Sequence, residues 1–554
     1  MATQFQTLDP PPGDSAASTL PADSSSEDER QKPLRDVHGV AWFLVICSVL
    51  SSTFLFGLDT TIVAVVQPTI VTEFDALQDL PWLFTAFMLG AAATNLFWGQ
   101  VYSNFNTKWT YIGCICLFEV GSAISGVAPN MSAMIVGRAV CGAGGAGMYT
   151  GVMTFLSMLT TEQERSLYLG VPGLTWGIAT VLGPIFGGAF TESSVGWRFA
   201  FYFNLLVGAL FAPITIFLIP SRGPRSGAML VKRTERLDWA GLVLITGIFV
   251  ALLMAISFGG LTYLWNSGQI IALFVLAGVL VIVYWTQQTF CLGTARDART
   301  IPFEFLRNAP LMIIFFNETF ASTAGFIPVS FVPLFFQFVR GDSALQSGVR
   351  LLPLVCLLVA MILLAGYVAS KTGKTTPIFF FGGALVLAGG AMMYTVDANA
   401  SDAQVYAYTA ILGTGAGVYF NVPFSAAQAC TDPDLIPVAV GFISFAQLAS
   451  PAISIAIANS VFLSQSTQNI ASLLPSADET LIYGIISGVE KSYVDSLDAP
   501  TRDALIDIIV GAMGNAYVLV IAAGALTLIL SPVLLFFPNA QRAPPTTQKD
   551  KPAV

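Results

Sequence analysis

Four charged side chains interrupt long apolar stretches of the sequence: Asp59, Glu119, Arg138 and Glu318. A charge at the centre of a bilayer costs from about 2.5 to more than 10 kcal/mol, so such residues usually have a function. Carboxyl groups in this setting can take up and release protons, and a nearby arginine changes how readily they do so. We therefore predict that these four positions carry proton coupling.

Asp59 and Arg138 lie at similar depths in two different apolar stretches. Counted along an α-helix, both lie roughly 10 Å from the outer end of their stretch, so we predict that they pair. A nearby cation favours the ionised carboxylate, whereas desolvation favours its protonated form. Movement that separates the pair could exchange a proton for a bound solute. The alternative is a static neutral pair that only helps the helices to pack.

The other two carboxyl groups have different surroundings. Glu318 lies among polar residues that include Asn317 and Ser322, which predicts a cluster that binds substrate or protons. The alternative is that Glu318 lies near the inner interface and reaches water. Glu119 fits either a proton site or a structural hydrogen bond.

The composition is that of an all-α protein with many membrane spans. Hydrophobic residues make up 55% of the chain and charged residues 10%, against roughly 25% charged in an average soluble domain. The seven cysteines are odd in number and mostly lie in apolar runs, so they indicate no disulfide framework. With one histidine and no Cys/His cluster, the sequence predicts no metal site.

The sequence contains no complete motif of an enzyme or of a nucleotide-driven pump. Thr372 to Thr375 is similar to the end of a phosphate-binding loop, but Val368 occupies the position of its first glycine. No Gly-x-Ser-x-Gly segment is present, which argues against a serine hydrolase. The sequence predicts neither an enzyme nor a bound cofactor, and it indicates no nucleic-acid partner.

Fourteen apolar segments are long enough to cross a bilayer core of about 30 Å, which takes roughly 20 residues. The predicted spans are 40–66, 81–102, 109–128, 132–156, 166–190, 199–219, 238–258, 269–289, 311–333, 348–369, 376–395, 404–426, 437–461 and 516–537. Placing both termini in the cytoplasm puts 18 of the 24 Lys and Arg residues on the inner side, as the positive-inside rule requires. Residues 462–515 are then an outer loop.

The two ends of the chain differ in composition from the rest. Residues 1–38 carry few large apolar side chains, which predicts a disordered cytoplasmic tail. They do not have the pattern of a cleavable signal peptide, so we expect the first span to direct insertion. Residues 539–554 predict a second cytoplasmic tail.

A short turn pattern recurs 267 residues later in the chain. The repeated positions are Gly99 and Lys108 in the first turn, and Gly366, Lys371, Gly373 and Lys374 in the second. Parallel six-helix repeats are typical of secondary transporters with alternating access. The predicted division is an N-terminal bundle over 39–220, two inserted helices over 221–310 and a C-terminal bundle over 311–538.

The fifth span is rich in helix-breaking residues, namely Gly170, Gly183, Pro184, Gly187 and Gly188. In water each interior glycine costs a helix about 1 kcal/mol and a proline about 3 kcal/mol. Lipid enforces helix formation because unmade backbone hydrogen bonds are expensive there, and small residues let helices approach closely. The segment predicts a membrane helix built for close, bendable packing.

Several blocks together resemble the major facilitator superfamily, specifically its fourteen-span drug:proton antiporters as found among fungal toxin-efflux pumps. The blocks are Leu58 to Pro68, the two turns at Gly99 and Gly366, Arg138 to Gly147, Gly170 to Gly188, and Trp197 to Asn204. Ser103 and Ser370 stand where the superfamily usually has an acidic residue in these turns. The resemblance covers residues 38–540.

The resemblance implies the major facilitator fold and roles for particular residues. Spans one, four, nine and twelve would line a central cavity, with Asp59 as the proton carrier and Arg138 tuning it. The repeated turns would act as cytoplasmic gates, and the fifth-span glycines would form the antiporter motif. Two interpretations stay open for the polar residues Asn317, Tyr419, Asn421 and Gln447, namely contact with the substrate and hydrogen bonds between helices. The partners would be protons, a small molecule and the bilayer, with a functional monomer.

The sequence therefore predicts proton-coupled efflux of a small amphipathic toxin, drug or secondary metabolite across the plasma membrane. Two alternatives stay open: a vacuolar or siderophore-type transporter of a polar solute, and a non-transporting membrane receptor. Asn399-Ala400-Ser401 is a candidate glycosylation acceptor in an outer loop.

Overall fold

A computed structural model describes residues 38–537 apart from gaps at 77–78, 80–81, 161, 222–233, 235–236, 261–262, 433–434 and 487–489. The predicted tail 1–38, except for its last residue, and the predicted tail 539–554 lie outside the described residues. So does most of the basic segment at the start of the predicted insertion.

The described chain is helical, and fourteen of its helices are 18 residues or longer. They are α1 (Gly39–Phe74), α2 (Trp82–Asn104), α3 (Thr107–Gly126), α4 (Met131–Leu159), α5 (Glu162–Glu192), α6 (Phe199–Phe217), α7 (Trp239–Phe258), α8 (Gly268–Phe290), α9 (Ala309–Arg340), α10 (Leu352–Thr372), α11 (Thr376–Tyr394), α12 (Asp402–Tyr419), α13 (Ile436–Leu473) and α14 (Ala499–Leu530). Short helices lie at Phe303–Arg307, Ala344–Val349, Val422–Ala429, Glu479–Ile486 and Lys491–Ser496.

Twelve helices in the described part of the chain are long and apolar enough to cross a membrane. The two long helices that are not among them are α2 and α12, which contain several polar residues. The prediction of an all-helical membrane protein is confirmed, whereas the number of fourteen spans stays a prediction.

The long helices pack in two groups. In the N-terminal group, α1 packs against α5 and α6, and α4 packs against α2 and α3. In the C-terminal group, α9 packs against α13 and α14, and α12 packs against α10 and α11. The groups meet where α5 contacts α10 and where α2 contacts α13; we call these two contacts the seam. The pair α7–α8 lies beside them, with α7 against both α2 and α13.

Two helices extend into the segment predicted as an outer loop. Helix α13 continues to Leu473, and α14 begins at Ala499, so only 474–498 connects them. Asp498 caps α14 by accepting a hydrogen bond from the Thr501 amide at 3.4 Å. Hydropathy marks the part of a helix that lies in lipid and does not mark a polar extension beyond it, which explains the difference.

The span predicted over 404–426 is interrupted in the structure. Helix α12 ends at Tyr419, and a separate short helix begins at Val422. Pro423 explains the break, because proline has no amide hydrogen and disfavours helical backbone in the residue before it. The break leaves Asn421 between two helix ends, where its side chain can reach a neighbouring helix.

Candidate functional site

Asp59 and Arg138 form a fully buried ion pair between α1 and α4. Both side chains are 0% exposed, and Nη1 of Arg138 donates to Oδ2 of Asp59. The guanidinium also donates through Nε to the carbonyl of Leu83 at 3.0 Å, and it lies over the Phe87 ring at 4.4 Å from the centroid. The predicted pairing is therefore present. Among the described residues Asp59 is the ion-pair partner of Arg138, and the other contacts of the guanidinium named above are with neutral groups.

Neutral polar groups complete this site, which we call the Asp59 cluster: Asp59, Ser122, Arg138, Cys141 and Asn204. Nδ2 of Asn204 lies 3.0 Å from both Oδ1 of Asp59 and Oγ of Ser122. Ser122 in turn contacts the Cys141 thiol at 3.3 Å. Every member is buried. Asn204 was missed as a site residue because the sequence placed it only inside a family signature, with no signal that it faces Asp59.

The Asp59 cluster is sealed from solvent in this structure. Apolar side chains of α1, α4 and α6, including Ile62, Val66, Met134 and Phe201, form a continuous buried cluster beside it. A proton can therefore reach Asp59 only after these helices or their neighbours move.

Glu119 lies near the Asp59 cluster but does not join it. Its carboxylate packs against Gly208 of α6, where an added Cβ would come within 2.9 Å of Cδ of Glu119. Both carboxylate oxygens are buried without a hydrogen-bond partner among the described residues. The structural hydrogen bond that was one reading of Glu119 is not formed within that part of the chain.

Glu318 lies in a second polar group, which we call the Glu318 cluster: Tyr149, Asn317, Glu318, Asn421 and Gln447. Glu318 is 0% exposed, so it does not reach water at the inner interface in this structure. Its Oε1 accepts from Ser322 at 3.2 Å, and Gln447 and Tyr149 lie close to it. Oε2 of Glu318, Oε1 of Gln447 and both side-chain atoms of Asn317 have no hydrogen-bond partner among the described residues.

The Glu318 cluster contains helices of both groups. Tyr149 comes from α4, whereas the other members come from the C-terminal group. Asn421 lies in the break after α12 and is buried. It donates to the carbonyl of Leu169 in α5 at 3.0 Å, and its Oδ1 accepts from Gln447 at 3.4 Å. The ring of Tyr419 packs towards α11 against Phe379, and its contact with substrate stays a prediction.

Aromatic rings from both groups meet close to these residues. Trp176 of α5 lies 5.1 Å from Phe326 of α9 and 6.4 Å from Phe420, measured between ring centroids. Phe56 of α1 stacks on Tyr149 at 5.9 Å. The centre of the molecule thus combines unpaired polar atoms with aromatic surfaces.

The glycines of the fifth span lie at contacts with two different helices, α10 and α1. An added Cβ at Gly173 or Gly170 would meet Ile362 of α10, at 2.8 and 3.5 Å, so these glycines permit close approach across the seam. At Gly187 it would meet Val65 of α1 at 3.1 Å, within the N-terminal group. Gly188 has open space around it. Helix α5 also contains Pro184, which contacts Gly348 beyond the end of α9.

The predicted gate turns lie at the ends of α2 and α10. Gly99 touches the backbone of Gly441 in α13, where an added Cβ would lie 2.8 Å from Cα of Gly99. In the second turn Gly373 adopts a left-handed conformation with φ of 65° and ends α10. The remaining positions, Gly366, Lys371, Lys374 and Lys108, lie around these helix ends.

Ion pairs join helix ends within each group. Glu73 at the end of α1 pairs with Arg198 at 2.6 Å and accepts from Nε1 of Trp197, and these hydrogen bonds hold the pKa of Glu73 below its usual value. In the C-terminal group Arg340 and Arg350 pair with Asp402 at 2.8 and 2.5 Å and lower its pKa.

The ion pairs Asp59–Arg138, Glu73–Arg198, Asp402–Arg340, Asp342–Arg350 and Asp402–Arg350 each join residues of one group. The Glu73–Arg198 pair explains the Trp197–Arg198 motif as a structural one. Asn399, the candidate glycosylation residue, is exposed in the loop between α11 and α12.

The sequence is similar to known proteins over most of its length. Residues 49–455 match the family model described as Major Facilitator Superfamily. The MFS-type transporter pgmG of Aspergillus terreus is 45% identical over 515 residues, covering 93% of this chain and 91% of that protein. The efflux pump alnA of Emericella nidulans is 42% identical over 504 residues, covering 90% and 91%.

Solved structures share the fold at low sequence identity. The human organic anion transporter MFSD10 (TETRAN) superposes with a TM-score of 0.57 at 12% identity, covering 90% of this chain and all of that chain.

Proposed function

The chain belongs to the major facilitator superfamily, a family of membrane transporters rather than enzymes, and on that premise we propose that it is a proton-coupled antiporter that exports a small amphipathic metabolite. The observation that carries this proposal is the sealed Asp59–Arg138 pair. Relatives named as efflux pumps support export and favour transport over a receptor role.

The pair can couple proton binding to movement through its charge. While Asp59 is ionised, it neutralises Arg138 inside the protein. Protonation of Asp59 leaves an uncompensated buried cation, and breaking one side of a buried pair costs about 3–5 kcal/mol. That penalty favours a conformation in which water or another acceptor reaches Arg138. Proton binding thus stabilises a conformation in which the Asp59 cluster is open to water, whereas the ionised pair stabilises the closed conformation.

The Glu318 cluster is our proposed cargo site. Its unpaired atoms on Asn317, Glu318 and Gln447 can both donate and accept hydrogen bonds, which suits hydroxyl and carbonyl groups. Trp176 and Phe326 offer flat apolar surface beside them. The described side chains of the cluster include no cation, and an anionic cargo would be repelled by Glu318. We therefore expect an oxygen-rich molecule that carries no negative charge and has an apolar part.

The remaining features of the proposal concern placement in the membrane. We propose fourteen spans, with α2 and α12 crossing the bilayer because they pack between helices that are apolar enough to do so. The distribution of Lys and Arg supports cytoplasmic termini. We propose a monomer in the plasma membrane, two six-helix bundles that correspond to the two groups, and Asn399 as a glycosylation site.

Exchange of Asp59 for Asn tests the function directly. Asparagine keeps the shape of the side chain but cannot release a proton, and it leaves Arg138 without a charged partner, so folded protein is first isolated by size-exclusion chromatography. In that protein we expect efflux of a fluorescent amphipathic probe from energised vesicles to lose its dependence on an imposed pH gradient. Asp478→Asn is the matched control, because Asp478 is exposed and an asparagine can still accept from the Leu481 amide. Efflux by Asp59→Asn that still follows the pH gradient would defeat the proposal.

A further inference from the structure

A buried carboxylate outside both clusters, that of Asp238, joins α7, α8 and the segment after α8, and the backbone of this unit is bonded to Gln100 of α2. Asp238 caps α7 and is 1% exposed. We call its surroundings the Asp238 anchor, whose members are Gln100, Asp238, Gln287, Gln288 and Thr300. The carboxylate accepts from the Gly241 amide at 2.8 Å, from Gln287 at 2.9 Å, from Gln288, and from the Thr300 hydroxyl and amide at 2.8 and 3.3 Å.

Gln100 connects this anchor to the end of α2. Its Oε1 accepts from the Asp238 amide at 3.2 Å, and its Nε2 donates to the carbonyl of Ala298 at 2.9 Å. Gln100 follows Gly99, whose backbone touches Gly441 of α13. The anchor therefore fixes α7, α8 and the segment after α8 to the same end of α2 that closes the seam.

Helix α7 has weaker polar links to α13. Phe249 meets Phe445 edge to face at 5.7 Å, and the Ser460 hydroxyl makes a single hydrogen bond to the carbonyl of Gly259 at 3.2 Å. On the α2 side Gln100 makes two hydrogen bonds to a backbone that the Asp238 carboxylate holds in place, and bonds to a charged group are among the strongest in proteins. Apolar contacts such as that of Phe249 are non-directional and allow sliding.

The chain after the anchor leaves the N-terminal group and begins to contact the C-terminal group within a few residues. Thr300 belongs to the Asp238 anchor, but Phe305 packs against Phe442 of α13 at 5.6 Å, and Asn308 donates to the carbonyl of Cys430 at 3.1 Å. Only Ile301 and Pro302 lie between the anchor and the short helix that follows it.

We propose that Asp238 makes α7–α8 part of the N-terminal group, so that the pair moves with α2 and slides over α13 during transport, with the change in geometry absorbed at Ile301–Pro302. The proposal rests on the alternating movement in the proposed function. Asp238 and Gln100 are then positioning residues, which hold the cytoplasmic end of α2 without touching cargo.

Distances between spin labels in the full-length protein test this assignment. In a variant without the seven native cysteines, single cysteines replace three exposed residues: Trp109 of α3, Phe290 of α8 and Phe381 of α11. We expect the 290–109 distance to stay constant when the pH or Asp59→Asn shifts the protein between states. The 290–381 and 109–381 distances should change together.

The hydrogen bonds of the anchor are tested separately, by measuring distances at a single pH, so that this test does not depend on movement of the two groups. Asp238→Ala removes the bonds to the carboxylate, and Gln100→Leu removes the bonds to the Asp238 amide and the Ala298 carbonyl. Both should broaden the 290–109 distance distribution and lower the maximal rate of efflux by about ten-fold, since the loss of one bond to a charged group or of two neutral bonds changes an equilibrium by roughly that factor. Ser460→Ala, which removes only the α7–α13 hydrogen bond, is the matched control and should change neither.

The outcomes separate the two proposals. A 290–381 distance that stays constant while 290–109 changes would overturn the assignment of α7–α8. An unchanged 290–109 distribution in Asp238→Ala would also overturn it, even if all distances are insensitive to pH. That insensitivity would count against alternating movement, and a broadened distribution would still support the anchor.

Discussion

The interior of each helix group and the seam between the groups are held by different kinds of contact. Inside the N-terminal group lies the buried pair of Asp59, and partly exposed pairs of Glu73 and Asp402 join helix ends within the two groups. Across the seam lie glycines, apolar side chains and neutral hydrogen bonds such as that from Asn421 to Leu169. A neutral hydrogen bond contributes about 0.5–1.5 kcal/mol, whereas breaking a buried ion pair costs about 3–5 kcal/mol.

This difference suits the alternating movement that we propose, in which the two groups separate and close again in every cycle. The buried pair of Asp59 holds the N-terminal group together, and the weaker contacts between the groups can be exchanged by thermal motion. The Asp59–Arg138 pair is the exception that a proton can break, since protonation removes one of its charges. The comparison predicts that damage inside a group affects folding, while damage at the seam affects transport.

The largest effect is expected when the buried pair loses its arginine. Arg138→Met leaves the Asp59 carboxylate buried and unpaired, so we expect a loss of roughly 3–5 kcal/mol of stability and poor recovery of folded protein. Thermal unfolding followed by size-exclusion chromatography measures this. The double variant Asp59→Leu with Arg138→Met should regain stability but not proton coupling. A single variant as stable as the native protein would contradict the account.

The seam should respond in the opposite way. Gly441→Ala puts a methyl group 2.8 Å from Cα of Gly99, which costs about 1–3 kcal/mol in the closed state. We expect efflux to fall by ten-fold or more while the unfolding temperature changes little. Gly113→Ala is the control, because no atom outside its own helix lies within 4 Å of the added group. Equal efflux by Gly441→Ala and Gly113→Ala would contradict the prediction that close contact at the seam is needed for transport.

The smallest effect is expected at the outer end of the C-terminal group. Asp402→Asn removes a partner of Arg340 and Arg350, and a surface pair contributes about 0–1 kcal/mol. Because these partners lower the pKa of Asp402 from 3.8, its contribution to stability is present at neutral pH and is lost as the pH falls below that value. The unfolding temperatures of native and variant protein should differ slightly at pH 7 and converge in acid. A difference that grows in acid would contradict this sign.

Much of this comparison could be predicted from the sequence, because apolar length and charge placement are local properties. The helices, the Asp59–Arg138 pair and the burial of Glu318 followed from them. The partners Asn204 and Tyr149 could not be found in this way, since a polar residue in an apolar run does not indicate which helix it faces. Asp238 was missed because it lies at a span boundary, where a charge is ordinary.

The most direct test of the account compares a lock across the seam with a lock inside a group, in a variant without native cysteines. Gly170→Cys with Ile362→Cys joins α5 to α10, and Gly390→Cys with Val520→Cys joins α11 to α14, where the added groups lie 3.5 and 3.0 Å from the partner side chain. Efflux is measured in vesicles before oxidation, after oxidation and after reduction. We predict that the seam lock stops efflux reversibly and that the lock inside the group does not. Efflux that continues through an oxidised seam lock would contradict the account.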